Sequence, residues 1–459
     1  MHLLKIILSF IFVILCLTNT KVNGAQVGTL QNDVKKNNDS KNKNDKDQKE
    51  DAKVNAPRPI ADACKKSYSL ENVGQLNQLA SQCHTIKGSL NFDNYVDPVV
   101  DLGGIENIEG DLVMENSASI VRIECPKLAT IKGEFKIQAL TSLTSIHLRE
   151  LNAVDSIYWR VVPILSTVEF TKGLTKINKI TISDTSLIGF EGFSGGKVEQ
   201  LSIFNINNNR FMESIVCNVR SVSEKLTIQS NAREIQVSLD NLVWANNMTV
   251  KDSSSISIPN LQFVNNSLEF IDNHFQSISI PKLQGVGGTL SLDSNKQLTK
   301  VDMNNVSDVF GGIMITDNTN LEKIDFLKSL QQIGGAIQFS GKIKEISLPK
   351  LRLVKGSVQI NSTSDELDCS SWTTPPSGIS IIRGGKILCS SSKKQTKISL
   401  SDKGEILNTD TTDLELNQQK KEIISKSFGN KLDFSTNISL IIGAISLILT
   451  FFITKNMQH

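Results

Sequence analysis

Between about residues 61 and 392, apolar and polar positions alternate in short bursts that return every 20–25 residues, a period typical of solenoids. The bursts begin Leu90-Asn91-Phe92, Leu112-Val113-Met114, Phe135-Lys136-Ile137, Ile157-Tyr158-Trp159 and Ile180-Thr181-Ile182. They continue Leu201-Ser202-Ile203, Leu226-Thr227-Ile228, Met248-Thr249-Val250, Leu268-Glu269-Phe270 and Leu290-Ser291-Leu292. They end Ile313-Met314-Ile315, Ile337-Gln338-Phe339 and Val358-Gln359-Ile360. Period-two alternation predicts half-buried strands.

Each burst is embedded in a unit with its own grammar. Many are preceded by glycine (Gly88, Gly110, Gly133, Gly288, Gly312, Gly335, Gly356), where a tight bend excludes a side chain. A polar turn follows, as at 293–296 and 317–320, then a second apolar pair such as Leu298/Val301 or Leu321/Ile324. An apolar-Pro-x-Leu corner closes several units, at 125–128, 258–261, 280–283 and 348–351; proline cannot donate to a ladder and belongs at a corner. One unit cannot bury its apolar face alone, so the pattern predicts a mainly β, right-handed parallel β-solenoid of about a dozen rungs over residues 61–392. Helix signals are absent from the repeats.

The two ends follow other patterns. Met1–Gly24 has a basic start (Lys5) and an apolar run from Ile6 to Leu17, too short to span a bilayer, which reads as a signal peptide cleaved before Ala25. Residues 25–60 are dominated by Asn, Asp, Lys, Gln and Ser and are expected to be disordered, because they cannot bury enough apolar area to offset chain entropy. A polar stalk is expected over 393–435. The apolar run Ile438–Ile453 within 436–459 has two readings: a transmembrane tail, or a GPI-attachment signal with Ser425 or Ser427 as the attachment residue and a polar spacer after it.

Composition narrows the rest. Lys+Arg 49 against Asp+Glu 47 gives no basic face for nucleic acid, and aromatics at 5% do not favour stacking platforms. Six cysteines remain after Cys16 leaves with the signal, and an even number in an exported chain reads as disulfides. Cys64 with Cys83 and Cys369 with Cys389 lie at the ends of the repeats, where a solenoid needs caps; Cys125 with Cys217 follows by elimination. Asn-x-Ser/Thr sequons at Asn38, Asn247, Asn265, Asn305 and Asn361 are candidate N-glycan sites, and Asn437 abuts the apolar tail.

No catalytic or cofactor motif stands out: there is no His-Glu-x-x-His or P-loop. The histidines His2, His84, His147, His274 and His459 share no spacing, so no metal site is expected. Acidic pairs such as Asp302 and Asp325 in adjacent rungs read first as solvated charges. No enzyme activity, cofactor or small-molecule substrate is expected.

The opening Cys64…Tyr68, Leu76…Leu79, Cys83…Ile86-Lys87-Gly88-Ser89-Leu90, followed by Leu102-Gly103-Gly104-Ile105 and Gly110-Asp111-Leu112, resembles the fungal GPI-anchored cell-wall glycoproteins of the sporulation-specific and extracellular-mutant group. The resemblance covers nearly the whole chain. It implies repeats like the L domains of insulin and epidermal growth factor receptors, related to leucine-rich repeats. It also implies a lipid-anchored glycoprotein at the plasma membrane or wall, organising the cell or spore wall beside wall polysaccharide or wall proteins. The other functional expectation is a receptor-like ectodomain that binds a protein or peptide on one solenoid face.

Overall fold

The computed structural model describes residues 61–414, except 191–192, 194–197, 375–379 and 384. The predicted signal peptide, the 25–60 tract, most of the stalk and the apolar tail lie outside the described residues, as do Asn38, Asn437, Ser425 and Ser427.

The repeats form a β-solenoid of about thirteen turns. Among the described residues its main sheet has 25 strands, parallel throughout the repeats. Register turns the apolar bursts into two inner columns. One runs Leu90, Leu112, Phe135, Ile157, Ile180, Phe204 and Leu226, the other Phe92, Met114, Ile137, Trp159, Ile182, Ile206 and Ile228. Both continue to Val358 and Ile360. Every residue named in these columns is buried. The sixth burst needs a correction: Leu201 belongs to the preceding short strand segment opposite Val222, and a register shift brings Phe204 and Ile206 into the columns.

A second ladder runs along the side where the chain turns back. Its strands include Val99–Asp101, Arg122–Glu124, Ser145–His147 and Thr167–Glu169, then Ser214–Val216, Gln236–Ser238 and Ser255–Ser257. Between these two groups, Phe190 and Phe193 fill the core against Trp159 and Phe204.

Two local devices make the turns. Gly311, Gly335 and Gly356 stack so closely that a Cβ on each would lie 2.5–2.9 Å from the carbonyl carbon of the glycine before it in the stack. Their role is close approach of backbones, not a left-handed conformation. The left-handed positions come instead at or just after the ends of the main strands, at Asn94, Asn116, Ala139, Val161, Asp184, Asn208, Ser230, Asp252, Asp272, Ser294 and Asp317, with φ of 52–58°. Asn and Asp tolerate this region best among residues with a side chain.

Inside those turns runs a ladder of amides that the sequence pattern did not reveal. Asn209, Asn273, Asn295 and Asn318 are buried, and Asn231 is partly so. Asn295 Nδ2 donates to Phe270 O (2.9 Å) and to Asn318 Oδ1 (3.1 Å), while its Oδ1 accepts from the Asn273 backbone N–H (3.0 Å) and Asn273 Nδ2 (3.0 Å). The same bonds join Asn209 to Asn231. Buried polar atoms are thereby satisfied from rung to rung.

Both ends are capped. Helix Val73–Gln82 covers the first rung with Leu76 and Leu79, is N-capped by Asn72, and is tied by the Cys64–Cys83 disulfide. At the other end Cys369–Cys389 staples a short helix to strand Gly385–Ser390. The fold does not stop at residue 392: Lys394–Leu400 and Ile406–Asp413 add two antiparallel strands in what the sequence suggested was stalk. The last of these is nearly all exposed and polar, which suits an edge strand.

The predicted Cys125–Cys217 bond is absent: both thiols are free and buried. Cys125 follows the second rung and Cys217 the sixth, so about four strand spacings, roughly 19 Å, separate them, whereas a disulfide needs Cα atoms within about 7 Å. Burial pushes both thiols up, Cys217 to about 11, so both behave as small apolar core residues.

Candidate functional site

The side chains between the inner columns, and those one residue beyond the second column, make the outer face of the main sheet. Its character changes along the solenoid. The early rungs present Asp93, Glu115, Lys136 and Arg160, with Lys136 Nζ 2.6 Å from Glu115. The middle rungs present Thr181, Asn205, Asn207 and Gln229, while Ser183 and Thr227 in the same rows are buried. In the later rungs Thr249 Oγ1 donates to Glu269 (3.0 Å), and Gln338, Gln359 and Asn361 follow. Hydroxyls and amides repeated at one strand spacing can bond a hydroxylated polymer or a peptide without burying net charge.

Beside this face, where the chain enters the main sheet, lies a groove of about 440 Å³ lined by Glu199, Asn218, Arg220, Asn241, Val243, Asn260 and Gln262. Repeat geometry brings these residues together from four successive units. Asn260 is held by Lys282, whose Nζ donates to its Oδ1 (2.6 Å), and donates in turn to Asp240 O (2.7 Å). Next along the chain from Val243 and Gln262 stand Trp244 and Phe263, paired in register. Phe263 is 43% exposed, and Phe310, two rungs on, 61%. The low aromatic content hid this cluster, because three rings are few in a composition but significant when register places them together.

The other candidates are dispersed. His147 Nδ1 lies 2.8 Å from Glu169, whose carboxyl is held below the ordinary carboxylate range by that hydrogen bond and by the Arg149 charge. His84 Nδ1 lies 3.1 Å from Gly104 O, and His274 sits in a different rung. Asp302 accepts from Ser279 Oγ (3.2 Å) and Asn304 Nδ2 (2.8 Å), and no hydrogen bond among the described residues joins it to Asp325. Of the sequon asparagines, Asn265 and Asn305 are exposed, while Asn247 and Asn361 are half-buried. Asn305 Nδ2 donates to Pro281 O (2.6 Å), and Asn265 Oδ1 accepts from Trp244 Nε1 (3.0 Å).

No family model matches the chain, and no solved structure matches it. Similar proteins of known identity do. The chain is 43% identical over 364 residues to Sporulation-specific protein 2 of Saccharomyces cerevisiae, covering 79% of this chain and 72% of that one. It is 42% identical over 377 residues to Sporulation-specific protein 22 of the same yeast, 81% of each. To Cell surface GPI-anchored protein ECM33 of Candida albicans it is 32% identical over 316 residues, 68% of this chain and 76% of that one. The chain belongs to the family of fungal sporulation-specific and Ecm33/Pst1 cell-wall proteins.

Family membership places the protein on the secretory route to the cell surface and wall. The oxidised caps suit that route, because disulfides persist in oxidising compartments. The outer face and its groove are therefore what a wall-located solenoid of this family offers to its surroundings.

Proposed function

We propose that this chain is a non-enzymatic, GPI-anchored surface glycoprotein that helps organise the wall built during sporulation, its outer sheet face and polar groove engaging wall polysaccharide or neighbouring wall proteins. The observation that carries the reading is the gradient among its relatives. Identity is 43% and 42% to the two sporulation-specific proteins, against 35% to Protein ecm33 of Aspergillus fumigatus and 32% to the C. albicans protein. The amides and hydroxyls of the outer face and the Glu199/Arg220 groove supply hydrogen bonds suited to hydroxylated polymers.

The secreted chain without its apolar tail, incubated with purified wall glucan, chitosan and mannan, is expected to bind at least one saturably and to release no reducing ends. Reducing-end release lost on Asp302→Asn or Asp325→Asn would overturn the non-enzymatic reading. A saturable protein ligand with no polysaccharide binding would favour the receptor-like reading instead. Release of the intact ectodomain from cells by a phosphatidylinositol-specific phospholipase is the expected outcome for the anchor, and failure of release would contradict it.

A further inference from the structure

One exposed apolar patch on the main sheet surrounds a sequon. Trp244 and Phe263 are register partners in adjacent rungs, and the next position in that row is Gly285. The Phe263 ring reaches over that glycine: a Cβ built there would lie 3.9 Å from Phe263 Cδ1. Two residues after Phe263 stands exposed Asn265, and its Oδ1 accepts from Trp244 Nε1 at 3.0 Å, so its amide lies beside both aromatic residues. In the following rung, beside Asn265, comes Gly287, where a Cβ would lie 1.8 Å from Asn265 O, so no side chain can fill that place. Phe310 follows in the rung after, 61% exposed. Two glycines thus leave an open floor between Phe263 and Phe310, about two strand spacings or roughly 10 Å wide.

Large exposed rings beside a bare floor are costly to leave in water and mark a surface meant to be covered. The occupant is indicated by the sequon Asn265-Asn266-Ser267 in a chain exported through the secretory pathway. No described residue accepts a hydrogen bond from Asn265 Nδ2, whereas Asn305 Nδ2 donates to Pro281 O and Asn247 Nδ2 to Glu224 O. We infer that Asn265 carries an N-glycan whose first N-acetylglucosamine packs its apolar C–H face on the Phe263 and Trp244 rings, over the floor of Gly285 and Gly287. The linkage forms when Asn265 Nδ2 attacks the anomeric carbon of a lipid-diphosphate-linked oligosaccharide. The N–C bond forms, the C–O bond to the diphosphate breaks, the lipid diphosphate leaves with the electron pair, and the amide gives up one proton. Pyranose C–H groups are attracted to the negative face of an aromatic ring, so the sugar covers this part of the sheet and stabilises the rungs beneath it. The inference needs export but not the wall role.

The test is glycopeptide mass spectrometry on the full chain secreted from a fungal host, followed by a thermal cycle. Asn265 is expected to be occupied in the parent. Ser267→Ala removes the glycan while keeping Asn265 and its bond to Trp244. It is expected to lower Tm in the parent and to leave Tm nearly unchanged in a Phe263→Ala background, with Phe263→Tyr restoring the loss. Phe263→Ala is also expected to lower occupancy severalfold. An unmodified Asn265 in the secreted protein overturns the inference. So does an occupied Asn265 whose removal shifts Tm equally with and without the Phe263 ring, or not at all.

Discussion

At the scale of single residues, the solenoid is tuned by positions in its turns. Val161 takes φ 56° at a position where the rungs on either side use Ala139 and Asp184 and all the others use Asn, Asp or Ser. A β-branched side chain there costs about 1–2 kcal/mol, and at 40% exposure it recovers little by burial. Val161→Asn is expected to raise stability by about 1 kcal/mol, read as a higher denaturant midpoint. Asn295 is the opposite case. Replacing it by Ala strands Phe270 O and the Asn273 amides, so a loss of about 3 kcal/mol is expected, measured by the same denaturation. The free cysteines give a third outcome: the native protein should resist alkylation, and unfolding without reductant should expose two reactive thiols, Cys125 and Cys217. Four protected cysteines after unfolding reveal the two cap disulfides, and six would show that these two pair after all. These residue roles were hard to read from sequence. Asn209, Asn231, Asn273, Asn295 and Asn318 recur in phase, but each sits in a polar turn where Asn is unremarkable, and only stacking shows that it is buried. Pairing Cys125 with Cys217 by elimination failed because counting thiols ignores the rung spacing that separates them.

At the scale of elements, strands were legible wherever alternation was strict, because one face of each packs on a dry core while the other meets water. The sixth rung slipped because Leu201, Ile203, Phe204 and Ile206 offer two apolar registers three residues apart, and the neighbours on either side decide between them. The C-terminal hairpin was missed for a different reason. Ile406–Asp413 carries almost no buried side chain and is a strand only because Lys394–Leu400 pairs with it. Those two strands continue the main sheet beyond the last parallel strand, Gly385–Ser390. Truncation after Ser392 is therefore expected to leave a long unpaired edge and promote self-association. Size-exclusion chromatography of the truncated and full ectodomains checks this: an equally monomeric truncated form would mean the hairpin protects nothing.

At the scale of the whole molecule, a stack of near-identical turns with caps at both ends is a rigid display surface. Its function depends on what register places together on the outer face. The family was readable from the Cys64/Cys83 opening and the first rungs. The groove at Glu199, Arg220 and Gln262 was not, because its residues come from separate units about 20 residues apart and share no motif. The central claim is that the chain acts in the wall built during sporulation. Homozygous deletion in the source fungus, scored for spore resistance to wall-digesting enzymes, tests it most directly. Deletion spores are expected to form but to lyse faster than wild type, with resistance restored by the full chain and not by a chain lacking the C-terminal tail. Deletion spores as resistant as wild type, with the tagged protein absent from the spore surface, would contradict the account.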